Sequence, residues 1–294
     1  VKVAGGKLQR NSGLAIIGPG RVGQALGKLL AGAGVPVRYV AARRLTAARR
    51  AVRFIGGGWA VGLGDPRLAE ASVILVTTAD SAIGEVAQNL ARLRRDWSGK
   101  VAIHTCGSLP ASVLRPLARR GASIGSLHPF QTIPNPRAGI RNLQRCYWSI
   151  EGDATARRVA ARYVKALEGV AFPVRPSAKT LYHLSAFLVC PTVVTLMDRS
   201  ERLLRRSGVP AKIARPMLGR FVTEAVRNFV ELGGRRALTG PAARGDWPTL
   251  GRHLAALRRT SPESVPIYVE MVRAMLRLAE RRPPRASRGR AKVF

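Results

Sequence analysis

Three glycines, in Gly18-Pro19-Gly20-Arg21-Val22-Gly23, directly follow a short apolar run, Leu14-Ala15-Ile16-Ile17. Val22, Leu26, Leu29 and Leu30 then recur at helical spacing until Gly32 and Gly34 end the pattern. Val35 to Val40 reads as a second strand. Strand, glycine turn, helix and strand over about 30 residues make a βαβ unit. Gly18 permits the tight turn, Gly20 leaves room for a pyrophosphate at the backbone, and Gly23 lets helix and sheet pack closely. The helix start offers free N–H groups and a positive dipole end to phosphates. An ordinary glycine turn does not require three glycines at these spacings.

The alternation continues. Val73 to Val76 is an apolar strand, Val101 to Ile103 another, and Ala122 to Leu127 another, with Tyr147 to Ile150 and Val170 to Val174 as candidate edge strands. Apolar runs without alternation suit strands covered on both faces, as in a parallel sheet. Past Pro176 the texture changes to long helix-patterned segments, 178–207, 211–232, 248–259 and 262–281, separated by Gly/Pro loops. The expected fold is α/β, a doubly wound, mostly parallel Rossmann sheet, followed by an all-α C-terminal domain. The expected division is a basic lead-in (1–12), a nucleotide-binding domain (13–176), a helical substrate and dimerisation domain (177–280) and a disordered basic tail (281–294).

The second strand runs into Val40-Ala41-Ala42-Arg43-Arg44, and no Asp or Glu precedes Asp65. NAD binders place a carboxylate here, on the ribose hydroxyls. Two guanidiniums instead suit a 2′-phosphate, so NADP is the expected cofactor. Thr77-Thr78-Ala79-Asp80 leaves the Val73–Val76 strand at the edge where such sheets bind ligands. Asp80 reads equally as a cap for the next helix.

Two more loops are expected at the same edge: His104-Thr105-Cys106-Gly107-Ser108 and Gly125-Ser126-Leu127-His128-Pro129-Phe130-Gln131. They bring a serine, a histidine and a glutamine to where nicotinamide and substrate would meet. His128 is the best general acid/base among four histidines, with an ordinary titration range near working pH. Lys179 and His183 lie four apart at the start of the helical half, on one helix face. The lysine reads either as a group that polarises a carbonyl or as a solvated helix start.

These stretches, with Leu238-Thr239-Gly240-Pro241-Ala242-Ala243-Arg244-Gly245-Asp246 and His253 downstream, resemble a bacterial family. Its members join a Rossmann-like domain to the helical domain of unknown function 2520. They are described as NADP oxidoreductases, deazaflavin-dependent or 6-phosphogluconate-dehydrogenase-like. The resemblance covers about residues 12–280. It implies a homodimer through the helical domain, with the Thr239–Asp246 loop, including Arg244 and Asp246, near the substrate. A more distant similarity to prephenate dehydrogenases implies that Ser108 and His128 hold the reacting hydroxyl or carbonyl. Related β-hydroxyacid dehydrogenases pair a helix lysine with a downstream asparagine; Cys190-Pro191 stands about there in this sequence.

The formal charge of +34 comes mostly from arginine spread along the chain. It reads as a solvated basic surface, or else as an attraction to nucleic acid or another polyanion. Zinc-finger, RNP-type and basic-zipper patterns are missing. Cys106, Cys146 and Cys190 are far apart and read as free thiols in a reducing cytoplasm. The apolar run Leu184 to Met197 falls short of a membrane span and reads as a buried helix. The first residues lack the order of a secretory signal. The expected activity is hydride transfer between NADPH and a small, acidic carbonyl or imine, of the ketopantoate-reductase, prephenate-dehydrogenase or pyrroline-carboxylate-reductase type. The competing reading is a non-catalytic NADP-binding regulator.

Overall fold

The structure is a computed structural model that describes residues 13–280. The lead-in and the tail expected from the sequence lie outside the described residues. The order is β1 (Leu14–Ile17), α1 (Arg21–Gly32), β2 (Val37–Ala41), α2 (Leu45–Ile55), β3 (Trp59–Val61), β4 (Val73–Val76), α3 (Ile83–Arg92), β5 (Val101–His104), α4 (Arg115–Ala118) and β6 (Ser123–Pro129). Then come α5 (Pro136–Asn142), β7 (Tyr147–Gly152), α6 (Ala154–Ala166) and β8 (Val170–Pro173). The remainder is helical: α7 (Lys179–Arg206), α8 (Ala211–Leu232), the single turns α9 (Gly234–Ala237) and α10 (Pro241–Arg244), α11 (Trp247–Thr260) and α12 (Val265–Leu278).

Every residue of β1 is buried, and successive side chains enter different cores because a strand alternates faces. Leu14 and Ile16 pack with Leu26 and Leu30 of α1, Ile55 of α2 and Trp148 of β7. Ala15 and Ile17 pack with Val86 and Leu90 of α3, Trp97 and Leu117 of α4. Two covered faces explain the unbroken apolar runs of β1 and β4.

One eight-stranded sheet runs β3-β2-β1-β4-β5-β6-β7-β8. Its strands are parallel except for the β6–β7 pair, so the architecture is the doubly wound one read from the sequence. The segment Tyr147–Ile150 is not an edge strand: β8 lies outside it, and the other edge is β3, which the sequence reading missed. Ile17 pairs with Val76, Val76 with His104, and His104 with Ser126. This register brings the carboxyl ends of β1, β4 and β5 to one sheet edge, in line with the middle of β6.

The chain divides into two compact units, Val1–Cys190 and Pro191–Phe294, with the division inside α7. The second unit has its own small core, in which Ala242, Leu250, Val272 and Leu276 are covered by Trp247, Tyr268 and Met275.

The expectation of a buried helix at Leu184–Met197 is overturned. The buried residue of α7 is Lys179, whereas Leu184, Phe187, Leu188, Val189 and Val194 are exposed. The helical stretch Pro176–Arg206 is, by length and composition, long and apolar enough to cross a membrane. Starting the run at Leu184 hid this, because Thr180, Leu181, Tyr182 and His183 before it extend the uncharged stretch.

Candidate active site

The glycine turn is built as its spacing requires. Gly18 has φ +74°, and its N–H donates to the Ala41 carbonyl at 2.8 Å. A Cβ on Gly18 would meet Thr78 Cγ2 at 2.3 Å, and one on Gly23 would meet Thr77 Oγ1 at 2.2 Å. Thr77 Oγ1 in turn donates to the Gly18 carbonyl at 2.8 Å, pinning the turn to the end of β4. Gly20 differs: its φ is −75°, and a Cβ there would approach nothing closer than 3.9 Å. Neither backbone strain nor internal packing demands a glycine at this exposed position. What remains is access to the start of α1, which carries no side-chain cap. Pro19 accepts a hydrogen bond from Gln24 at 2.9 Å, Arg21 is exposed and Val22 is half-buried. The buried Thr78 hydroxyl has no partner among the described residues. A bare backbone, uncapped N–H groups and an unpaired hydroxyl fit a dinucleotide's phosphates.

Arg43 and Arg44 follow β2 after Ala42, both exposed, with Arg44 in extended conformation at the start of α2. Of the two readings of Asp80, the helix cap is excluded. The residue opens a short 3-10 turn, and α3 begins after Ala82 without a side-chain cap bond. The inserted turn moves the helix start three residues past the carboxylate.

Two periodicities converge on a second cluster. Ser126 and His128 share one face of β6 through the two-residue repeat. Lys179, Tyr182 and His183 share one face of α7 through the i, i+3, i+4 repeat. Lys179 is 1% exposed, so the solvated helix start is excluded. Its Nζ donates to Ser126 Oγ at 2.5 Å and to the Cys106 carbonyl at 3.2 Å. Burial lowers its pKa, and the charges of Glu151, Cys106 and Asp80 act against that.

His128 lies inside β6 rather than in a loop. Its Nδ1 is 2.8 Å from the Tyr182 hydroxyl, the rings meeting edge to face. The His183 ring centroid is 5.9 Å away. A Cβ on Gly107 would sit 2.8 Å from His128 Nε2 and from His183 Cδ2, so only glycine lets both imidazoles reach this backbone. Burial, then the charges of Lys179, His183 and His104, push His128 down to about 3. The expectation of titration near working pH is therefore corrected: His128 is a neutral imidazole there.

His104, fully buried, accepts the Cys106 N–H at Nδ1 (3.1 Å), leaving Nε2 to donate to the Pro110 carbonyl at 3.2 Å. Burial holds it at about 4. Ser108 Oγ lies 3.2 Å from Cys106 Sγ. Gln131 is exposed and turns its amide oxygen onto the Thr132 N–H at 2.8 Å. Arg244, Asp246 and His253 belong to the second unit: Arg244 is exposed, Asp246 caps α11 through the Thr249 N–H at 3.1 Å, and His253 lies 3.2 Å from the Tyr268 hydroxyl.

Sequence reasoning passed over Tyr182, Gly107 and the lysine contact of Ser126. Tyr182 was accessible through its spacing of three from Lys179. Gly107 carried no signal, because its reason is two rings from distant segments.

Residues 4–129 match the family described as a Rossmann-like domain, and residues 146–275 match the domain of unknown function DUF2520. No curated protein matches the sequence. A solved protein from Bacteroides fragilis, provisionally named an NADP oxidoreductase, is 22% identical with a TM-score of 0.75, over 91% of this chain and 98% of its own. A protein from Thermotoga maritima is 20% identical with a TM-score of 0.69, over 91% and 98%. A reductive aminase from Aspergillus terreus, solved with NADPH, is 18% identical with a TM-score of 0.66, over 91% and 94%. At these identities the likeness is one of fold. The chain belongs with the Rossmann-like proteins that carry DUF2520 as their C-terminal domain.

Proposed function

We propose that the protein is an NADP-dependent oxidoreductase acting on a small, acidic carbonyl or imine compound. The observation that carries this reading is Gly20, a glycine with no internal reason to be one, at an uncapped helix start beside the unpaired Thr78 hydroxyl. Gly18 to Gly23, with Thr77 and Thr78, hold the pyrophosphate, and Arg43 and Arg44 hold the 2′-phosphate that distinguishes NADP. The reductase and NADPH named for the Aspergillus terreus structure support the same assignment. Bound NADPH supplies a hydride. His128 and His183 orient the substrate and hold or move its proton at the edge of the same sheet, and Lys179 fixes Ser126 and the Cys106 carbonyl beside them. The net charge of +34 favours an acidic substrate.

The protein acts as a homodimer through its helices. Phe221, Phe229 and Val230 on α8 are 61–76% exposed, large apolar side chains on one helix that a second copy would cover.

Calorimetric titration with NADPH, NADH and reduced deazaflavin cofactor tests the assignment. Tight NADPH binding, weakened at least about tenfold in the Arg43→Ala/Arg44→Ala variant while NADH is little affected, is expected. Folded protein that binds no nucleotide would overturn it and leave a polyanion partner for the basic surface.

A further inference from the structure

A carbonyl and an imine make opposite demands on the charge of this site. Reduction of a carbonyl builds negative charge on oxygen. Reduction of an imine proceeds through a cationic iminium and calls for a nearby anion. Around Gly107 the groups are Lys179, His128, His183, Tyr182 and Ser126, all cationic or neutral. Two carboxylates approach. Glu151, across the sheet from Ser126, is engaged by the Ala111 N–H at 2.6 Å. Asp80 is exposed at the end of β4, on the Cys106 side. Among the described residues no carboxylate hydrogen-bonds to Lys179, His128, Tyr182 or His183.

The donors are aimed differently. His128 Nδ1 is taken by the Tyr182 hydroxyl, whereas Nε2, beside Gly107, has no hydrogen-bond partner among the described residues. Burial keeps Tyr182 a phenol, and with its hydroxyl donating to Nδ1 the imidazole proton resides on Nε2, the tautomer on which a relay through this ring depends. Phe130 and Phe172 flank the phenol with ring centroids 5.6 and 6.0 Å away.

We propose that this site reduces a carbonyl and not an iminium, with the reacting oxygen received by His128 Nε2–H and its proton supplied by Tyr182 through the imidazole. The inference rests on the NADP-dependent reading above. The hydride, from the reduced nicotinamide, forms the new C–H bond at the carbonyl carbon. The π pair moves onto oxygen. That oxygen takes the Nε2 proton while Nδ1 takes the Tyr182 proton, and the tyrosinate recovers one from solvent. An alkoxide is a far stronger base than a tyrosinate, so the relay runs downhill. Lys179 acts as a positioning residue, its donors directed at Ser126 and the Cys106 carbonyl.

The test uses the NADP-bound protein in about 0.5 M NaCl, which screens the basic surface. Calorimetry compares oxamate, an unreactive 2-oxo-acid analogue, with L-proline, which places an ammonium where oxamate has a carbonyl. ¹⁵N NMR reads the His128 tautomer. Oxamate binding at least about tenfold more tightly than L-proline, weakened in Tyr182→Phe, is expected, together with Nε2 protonation in the wild type. L-proline binding as tightly or more tightly, or binding of neither probe, would overturn the carbonyl assignment. A wild-type His128 protonated on Nδ1 would overturn the relay even if Tyr182→Phe fails to fold. NADPH binding, followed separately by its fluorescence, shows whether the underlying oxidoreductase reading survives.

Discussion

Lys179 Nζ lies 2.5 Å from Ser126 Oγ, joining the first turn of α7 to the middle of β6. Both groups are buried, so the bond exists where an unpaired amine would be costly. Lys179→Met removes the buried amine and keeps the length of the side chain. It should leave the thermal midpoint within a few degrees of wild type, because a buried charge is weak support for stability. Turnover should fall by about 100-fold or more. Parallel loss of midpoint and turnover in denaturation and kinetic assays would show the lysine to be structural only.

Gly20 and Gly23 should separate binding from folding. Gly23→Ala drives a methyl into Thr77 Oγ1 at 2.2 Å and should cost about 1–3 kcal/mol of stability. Gly20→Ala meets nothing closer than 3.9 Å and should leave stability unchanged or slightly raised, while NADPH affinity drops about tenfold or more. Chemical denaturation and NADPH fluorescence titration of both variants measure the two effects. Equal affinities for Gly20→Ala and wild type would remove the phosphate from that turn.

The fold was legible because its signals are local. The glycine turn, the apolar β1 and β4, and the helix patterns after Pro176 each sit within one stretch of sequence. Edge strand β3 was not, since Trp59-Ala60-Val61 is too short to carry a period. The cluster was half legible. Lys179 and His183 share a helix face that spacing reveals, and His128 stood out by chemistry. The neutrality of His128 was invisible, because it comes from burial and from Lys179, 51 positions away in the chain. The cap reading of Asp80 failed because a capping residue is read from composition, and an inserted 3-10 turn cannot be.

The exposed helical face predicts an oligomer. Phe221 is 75% exposed on α8, and replacing it by glutamate puts a charge where a second copy would pack. Light scattering after size-exclusion chromatography should show a dimer for the wild type and a shift to monomer for Phe221→Glu. A monomeric wild type would refute the dimer. Recovery of wild type only with detergent would instead turn attention to the apolar stretch Pro176–Arg206 as a membrane-facing surface.

Acid sensitivity follows from the two buried imidazoles. Burial holds His104 at about 4 and His128 at about 3, against an ordinary 6.5. Between those values and 6.5 the unfolded chain binds protons that the folded chain refuses. The stability from keeping both rings neutral is therefore fully present above pH 6.5 and is lost as pH falls. From pH 6.5 to 5 the loss is roughly 2 kcal/mol per histidine, at about 1.4 kcal/mol for each pH unit. Guanidinium denaturation at pH 7.5 and pH 5 should show the wild type losing markedly more stability than His128→Gln. The substitution keeps an amide to meet the Tyr182 hydroxyl but cannot titrate. Carboxylates elsewhere contribute equally to both proteins and cancel in the difference. An identical pH slope for the two would mean that His128 is protonated in the folded protein, and that would remove the neutral Nε2–H donor from the site.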